Sequence, residues 1–95
     1  MKIIADKIKQ LDGKIVFVGD LNVDPGTPAL QLFDGWLEGL TANHGITNTL
    51  SQLAKVQEVA CDHIFVNTHV RVQDFRVLDD LVSDHKALLL EFDLV

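Results

Sequence analysis

"KIVFVGDLNVDPG", residues 14–26, is an apolar run that ends in three polar side chains at every second position, Asp20, Asn22 and Asp24, before Pro25-Gly26 turns the chain. Its β-branched and aromatic residues, bounded by glycines, read as a short strand that is apolar on both faces, as in the middle of a covered sheet. Such a strand delivers Asp20 at its C-terminal end. Residues i and i+2 of an extended chain point to one side, so Asp20 and Asn22 present a carboxylate and an amide together, a pair able to orient a water and hold a developing oxyanion. The same spacing opens an EF-hand calcium loop, but the sixth position is Pro25 instead of Gly and the twelfth is Gln31 instead of Glu. The segment also follows a strand, where a calcium loop follows a helix. By itself an Asp-x-Asn turn is more often structural; later segments decide whether it is a site.

Upstream, Ile4, Ile8 and Leu11 recur at helical spacing with lysines between them and Asp12-Gly13 as a stop, which predicts an amphipathic helix over 2–11. Downstream, Thr27 is placed to cap and Pro28 to occupy the first position of a second helix, with Leu30, Phe33 and Leu37 as its buried stripe and Gly39 as its end. "LTANHGITNTL" (40–50) is polar and aperiodic, hence loop. "VACDHIFVN" (59–67) is a second strand, "HVRVQDFRVL" (69–78) a third with a bulge at Gln73-Asp74, where the alternation slips, and "HKALLLEFDLV" (85–95) a fourth. Helix, strand, helix and three strands predict an α/β (α+β) fold, one mixed sheet with helices on one face, whose other face needs cover.

The 95 residues allow one domain with a modest core, and a hydrophobic fraction of 47% excludes a disordered tail. A formal net charge of −6 argues against this chain by itself gripping a phosphate backbone and fits a divalent-cation site better. Cys61 stands alone, so no internal disulfide forms, a reducing compartment is the simpler inference, and the thiol reads as a buried apolar group. Charges at positions 2, 6, 7 and 9 interrupt any signal-peptide core and no run is long enough to span a bilayer, so the expected location is cytoplasmic.

Two further segments bear on chemistry. "CDHIFVN" puts Asp62 at the start of an apolar strand, where a carboxylate is costly unless paired. "SDHKALL" puts Asp84 and His85 at the mouth of the last strand, and His85 is the natural partner for Asp62, since a carboxylate fixes an imidazole's tautomer and favours its protonated form. An Asp-His dyad beside a second Asp is phosphoester machinery. The hard carboxylate of Asp84 suits Mg²⁺ or Mn²⁺. His63 and Trp36 read as packing residues, His44 and His69 as solvated loop residues, and Asp79-Asp80 as a solvated turn.

"VFVGDLN", "CDHIFVN" and "SDHKALLLEF", in this order, resemble the three C-terminal motifs of the endonuclease/exonuclease/phosphatase superfamily, the deoxyribonuclease-I-like hydrolases, and the resemblance covers the whole chain. It implies that Asp20 positions or deprotonates the attacking water, Asn22 helps orient it and contacts the phosphate, Asp84 is a metal-linked carboxylate, His85 binds the scissile phosphate, and Asp62 orients His85. Thr49 sits where such proteins often carry a Thr. The family also carries, before the first motif, an Asn and a principal metal Glu. No Glu precedes position 38 here, and "VQEV" at 56–59 falls on the wrong side of the first motif, so Glu58 reads as a strand or loop residue.

The resemblance thus implies a single partial domain over 1–95, the C-terminal part of a four-layer α/β-β/α sandwich. Its expected function is metal-dependent hydrolysis of a phosphate ester, by a phosphodiesterase, nuclease or phosphatase, with nucleic acid less favoured as substrate by the acidic charge. The alternative is a catalytically silent interaction or assembly module. A homodimer or the missing N-terminal half is expected to cover the bare sheet face.

Overall fold

The computed structural model describes residues 1–94. Its elements are α1 (Lys2–Lys9), β1 (Val16–Asp20), a 3-10 helix (Pro28–Phe33), β2 (Glu38–Gly39), α2 (Leu40–Asn43), β3 (Asp62–Val66), β4 (Val70–Val77) and β5 (Leu88–Leu94). The strands form two sheets, a three-stranded one in the order β1-β3-β2 and the two-stranded ribbon β4-β5, with every pairing antiparallel. The fold is therefore mixed α/β, but the single mixed sheet expected from the element order is replaced by two antiparallel ones. Element order alone does not say which strands pair.

The centre of the molecule is β3. Its burial alternates to both sides: Phe65 packs with Ala5 and Ile8 of α1 and with Leu30, Phe33 and Leu37, while Ile64 and Val66 pack with Leu40, Val70 and Phe75. Phe65, Phe33 and Phe17 lie with ring centroids 4.9 to 5.9 Å apart, the tilted and offset contacts that aromatic rings favour. So α1 and the 3-10 helix cover one face of the three-stranded sheet and the β4-β5 ribbon covers part of the other.

That partial cover overturns one expectation. Val16 and Val18 stand across from Val66 and Ile64 and so face the ribbon's side, yet they remain 38% and 60% exposed. The ribbon reaches over β3 and not over β1, which makes β1 a half-covered edge strand instead of a doubly buried one. On the other side of the strand, Phe17 joins the aromatic core.

Three local readings also shift. The first helix ends at Lys9, burying Ala5 and Ile8 while Ile4 and Leu11 stay exposed, because Gln10 closes the last turn and Gly13 at φ +88° redirects the chain. The second helix is a six-residue 3-10 segment, in which residues i and i+3 eclipse, so Leu30 and Phe33 still share the buried side. Asp34 is extended and Gly35 has φ +85°, which breaks the helix before Leu37 without exposing it. The stretch after Gly39 contains α2, whose Leu40 and Thr41 are fully buried. The expected bulge is present, between Val72 and Asp74. The ribbon's outer side carries ion pairs, Arg71 with Asp93 at 3.1 Å and Arg76 with Asp74 at 2.8 Å. No helix among the described residues is long and apolar enough to cross a membrane.

Candidate active site

Antiparallel register sets Asp20, the last residue of β1, directly across from Asp62, the first of β3. Like charges placed opposite each other repel, so this pair needs a cation or a proton between its members. His85 supplies it. Its Nδ1 lies 2.7 Å from Asp62 Oδ2 and its Nε2 lies 3.7 Å from Asp20 Oδ2. The Asp62 side chain is 16% exposed, against 41% for Asp20 and 39% for His85, so the buried acid anchors the ring and the outer edge meets solvent.

The histidine is carried there by a local zipper. Leu50 and His85 form an isolated antiparallel bridge, flanked by Ser51 N–H donating to Asp84 O at 2.6 Å and Lys86 N–H donating to Thr49 O at 2.7 Å. Asp62 is held from both sides of its backbone. Buried Thr49 accepts the N–H groups of Cys61 at 3.1 Å and Asp62 at 3.3 Å through Oγ1, and Thr41 Oγ1 donates to Asp62 O at 2.9 Å. Thr49 therefore locks the start of β3 and the segment carrying His85, which precedes β5, into one frame.

The 18–26 turn is organised differently from the expectation. Asn22 has φ +56° and its N–H donates to Asp20 Oδ1 at 3.0 Å, an Asx turn in which one oxygen of Asp20 caps the backbone and the other faces His85. The strand stops at Asp20, so the i, i+2 alternation does not carry through to Asn22. Asp24 is structural: its Oδ1 accepts Ala60 N–H at 2.8 Å and pins the turn to the segment before β3. Asp84 is exposed, and its carboxylate makes no hydrogen bond or ion pair among the described residues. Its charge still acts on the neighbouring imidazole.

One member of the cluster was read from sequence only as a buried thiol. Ligand atoms of Asp20, Cys61, Asp62 and His85 all lie within 4.8 Å of one another. Cys61 precedes the strand instead of belonging to it, which lets Sγ sit 3.8 Å from Asp62 Oδ2, although consecutive strand residues would point apart. The signal was the adjacency in "CDH". Burial pushes the thiol's pKa up, with the charges of Asp62 and Asp20 adding to the rise. His63 proves to be packing: it is 2% exposed, with Nε2 2.7 Å from Val23 O and its ring stacked on Phe65. His44 is exposed, though its ring lies 5.0 Å from Phe75.

His85 has its pKa raised above the ordinary 6.5, chiefly by the hydrogen bond to Asp62, with the charges of Asp62, Asp20 and Asp84 adding and burial opposing. The protonated ring is the form the fold binds. Its stabilisation is complete below about 6.5, the unfolded value, and is lost as pH rises through the raised folded value. Histidine titration by NMR is expected to show His85 above the ordinary 6.5, and Asp62→Asn should bring it back down. A His85 pKa indifferent to that substitution would remove the dyad.

The donor chemistry fits a divalent ion, because Asp20 and Asp62 offer converging carboxylate oxygens of the kind that Mg²⁺ and Mn²⁺ take. The site borders a cavity of about 240 Å³ lined by Val18, Gly19, Asp20, Asp62, His63, Ile64, Lys86 and Leu88. A phosphate group fits such a space, which is small beside the roughly 300–1,000 Å³ usual for larger ligands. A family model described as "Endonuclease/Exonuclease/phosphatase family" matches residues 2–85. No curated protein and no solved structure matches the chain.

Proposed function

Because the chain belongs to the endonuclease/exonuclease/phosphatase family, we propose that its site hydrolyses a phosphate ester by attack of activated water, with Asp20, Asp62 and His85 as its working core. The observation that carries this is the clamp of His85 between two carboxylates, 2.7 Å from Asp62 and 3.7 Å from Asp20. Asp62 holds Nδ1 and fixes the ring. The protonated Nε2 edge turns from Asp20 to a phosphate oxygen when substrate enters. Asp20 Oδ2, released, accepts a proton from the water that attacks phosphorus as the bond to the leaving oxygen breaks. Asn22, one turn further, contacts the phosphate. Asp84, with Asp20 and Asp62, would hold Mg²⁺ or Mn²⁺, which when bound neutralises phosphate charge.

The substrate class is a phosphomonoester or phosphodiester. The net charge of −6 weighs against a polyanionic nucleic acid held by this chain alone. The test is Mg²⁺- or Mn²⁺-dependent hydrolysis of a generic phosphodiester by a longer domain that contains this segment. Asp20→Asn is expected to remove that hydrolysis without lowering the unfolding midpoint. A folded domain inert with either ion sinks the reading.

A second reading, a catalytically silent assembly module, is favoured by the exposed Val16 and Val18 on a sheet face that the β4-β5 ribbon leaves uncovered. We propose accordingly that the 95-residue chain is inactive or nearly so by itself. It would cover the Val16-Val18 face by packing against a further part of the domain or, most simply, a second copy through an isologous interface. Sedimentation at micromolar concentration should find a dimer, as expected of a specific interface that buries more than roughly 1,000 Å². A monomer with full metal-dependent activity would refute this.

A further inference from the structure

We propose that Asp20, Cys61, Asp62 and His85 also form a Zn²⁺ site, and that Zn²⁺ held there by the Cys61 thiolate shuts off the hydrolysis proposed above. The shut-off rests on the hydrolytic reading; the binding does not.

The argument starts from the donor set. One sulfur, one imidazole nitrogen and two carboxylate oxygens lie within 4.8 Å of one another. Hydrolysis employs the two acids and the histidine and leaves Cys61 without a task. Mg²⁺ has little use for sulfur, whereas Zn²⁺ takes thiolate at ~2.3 Å and imidazole or carboxylate at ~2.0–2.2 Å, four ligands in a tetrahedron. Tetrahedral bonds of that length separate the donors by ~3.3–3.7 Å. The cluster is thus about an ångström too open at its widest, and it contains the means to close.

Two of its members are fixed and two can move. Cys61 is buried at 5% exposure, and the backbone N–H groups of Cys61 and Asp62 are both held by Thr49. Asp20 and His85 present side chains 41% and 39% exposed and can swing inward. His85 Nδ1 and Asp62 Oδ2, now 2.7 Å apart around a shared proton, would part slightly as the ion replaces that proton. Coordination releases the thiol proton too, and no oxidation or reduction is involved. An ion so held takes Nδ1 and with it the positive charge that the protonated ring would offer the phosphate, and it occupies the Asp20 oxygen that the water requires.

Cobalt(II) reports directly on sulfur ligation, since a thiolate bound to Co²⁺ absorbs in the near ultraviolet. Titrating the 95-residue chain with Co²⁺ should produce that charge-transfer band, and one equivalent of Zn²⁺ should abolish it. Cys61→Ser should lack the band and bind Zn²⁺ at least about tenfold more weakly by calorimetry. No band with the unaltered chain overturns the proposal, with no need for any variant to fold. Equal Zn²⁺ affinity in folded Cys61→Ser or Cys61→Ala does so as well. In an active domain containing the segment, inhibition by Zn²⁺ that Cys61→Ser relieves supports the shut-off, and hydrolysis indifferent to Zn²⁺ overturns it. A chain that shows the band, in a domain that hydrolyses no phosphate ester, keeps the zinc site and loses the hydrolytic reading.

Discussion

In an active domain containing this segment, His85→Ala lowers turnover by at least about a hundredfold while the folded population is nearly unchanged. The size follows from what the ring does at its position. Asp62 holds one nitrogen at 2.7 Å, and the hydrogen bond between them raises the imidazole's pKa, so in the proposed mechanism a cation is presented where phosphate charge develops. Alanine removes that cation and leaves Asp20 facing Asp62 with nothing between them. The bare carboxylates then repel both each other and the substrate. The fold suffers less, because the backbone zipper at Leu50 and His85 does not use the imidazole. A residue of purely structural importance would give the reverse result, a lower unfolding midpoint with normal turnover per folded molecule. Turnover and thermal unfolding measured on one sample separate the two, and His85→Gln, which restores a neutral donor but no charge, should recover little.

Phe33→Ala should cost ~3–5 kcal/mol of stability. A domain of this size has a total of roughly 5–15 kcal/mol, so the loss is a large fraction of the whole. Phe33 is 1% exposed and lies 4.9, 5.7 and 5.8 Å from the rings of Phe65, Phe17 and Trp36. Its loss opens a cavity at the point where the 3-10 helix, β1 and β3 meet, and the surrounding rings are too rigid to fill it. Val18→Ala, at a position 60% exposed, serves as the contrast and should move stability within about ±0.5 kcal/mol in an unassociated chain. Urea unfolding is the measurement: the Phe33 variant should lower the midpoint strongly at an unchanged denaturant slope. A midpoint close to that of the unaltered chain would mean that the aromatic cluster is not the core.

The sequence by itself determined the features that depend on near neighbours along the chain. The apolar run 14–20 ends at Asp20 and the run after Asp62 is buried, so both acids stand at strand ends, as β1 and β3 confirm. The slip in alternation at Gln73-Asp74 is a bulge because two successive residues cannot both keep the pleat. Asp62 beside Ile64 needed a partner, and His85 is bonded to it.

What only the tertiary structure decided depends on pairing between segments far apart in the chain. The 16–20 run is equally apolar at Phe17 and Val18, yet one is packed and the other 60% exposed, because the β4-β5 ribbon covers β3 and stops short of β1. The opposition of Asp20 to Asp62 is a matter of register, which no local pattern encodes. Thr49 holds two backbone N–H groups more than ten residues away, and Cys61 joins the site by preceding the strand instead of alternating within it. Local periodicity reports which side of an element is apolar; which surface meets that side is settled by the long-range packing that gains most from burying it.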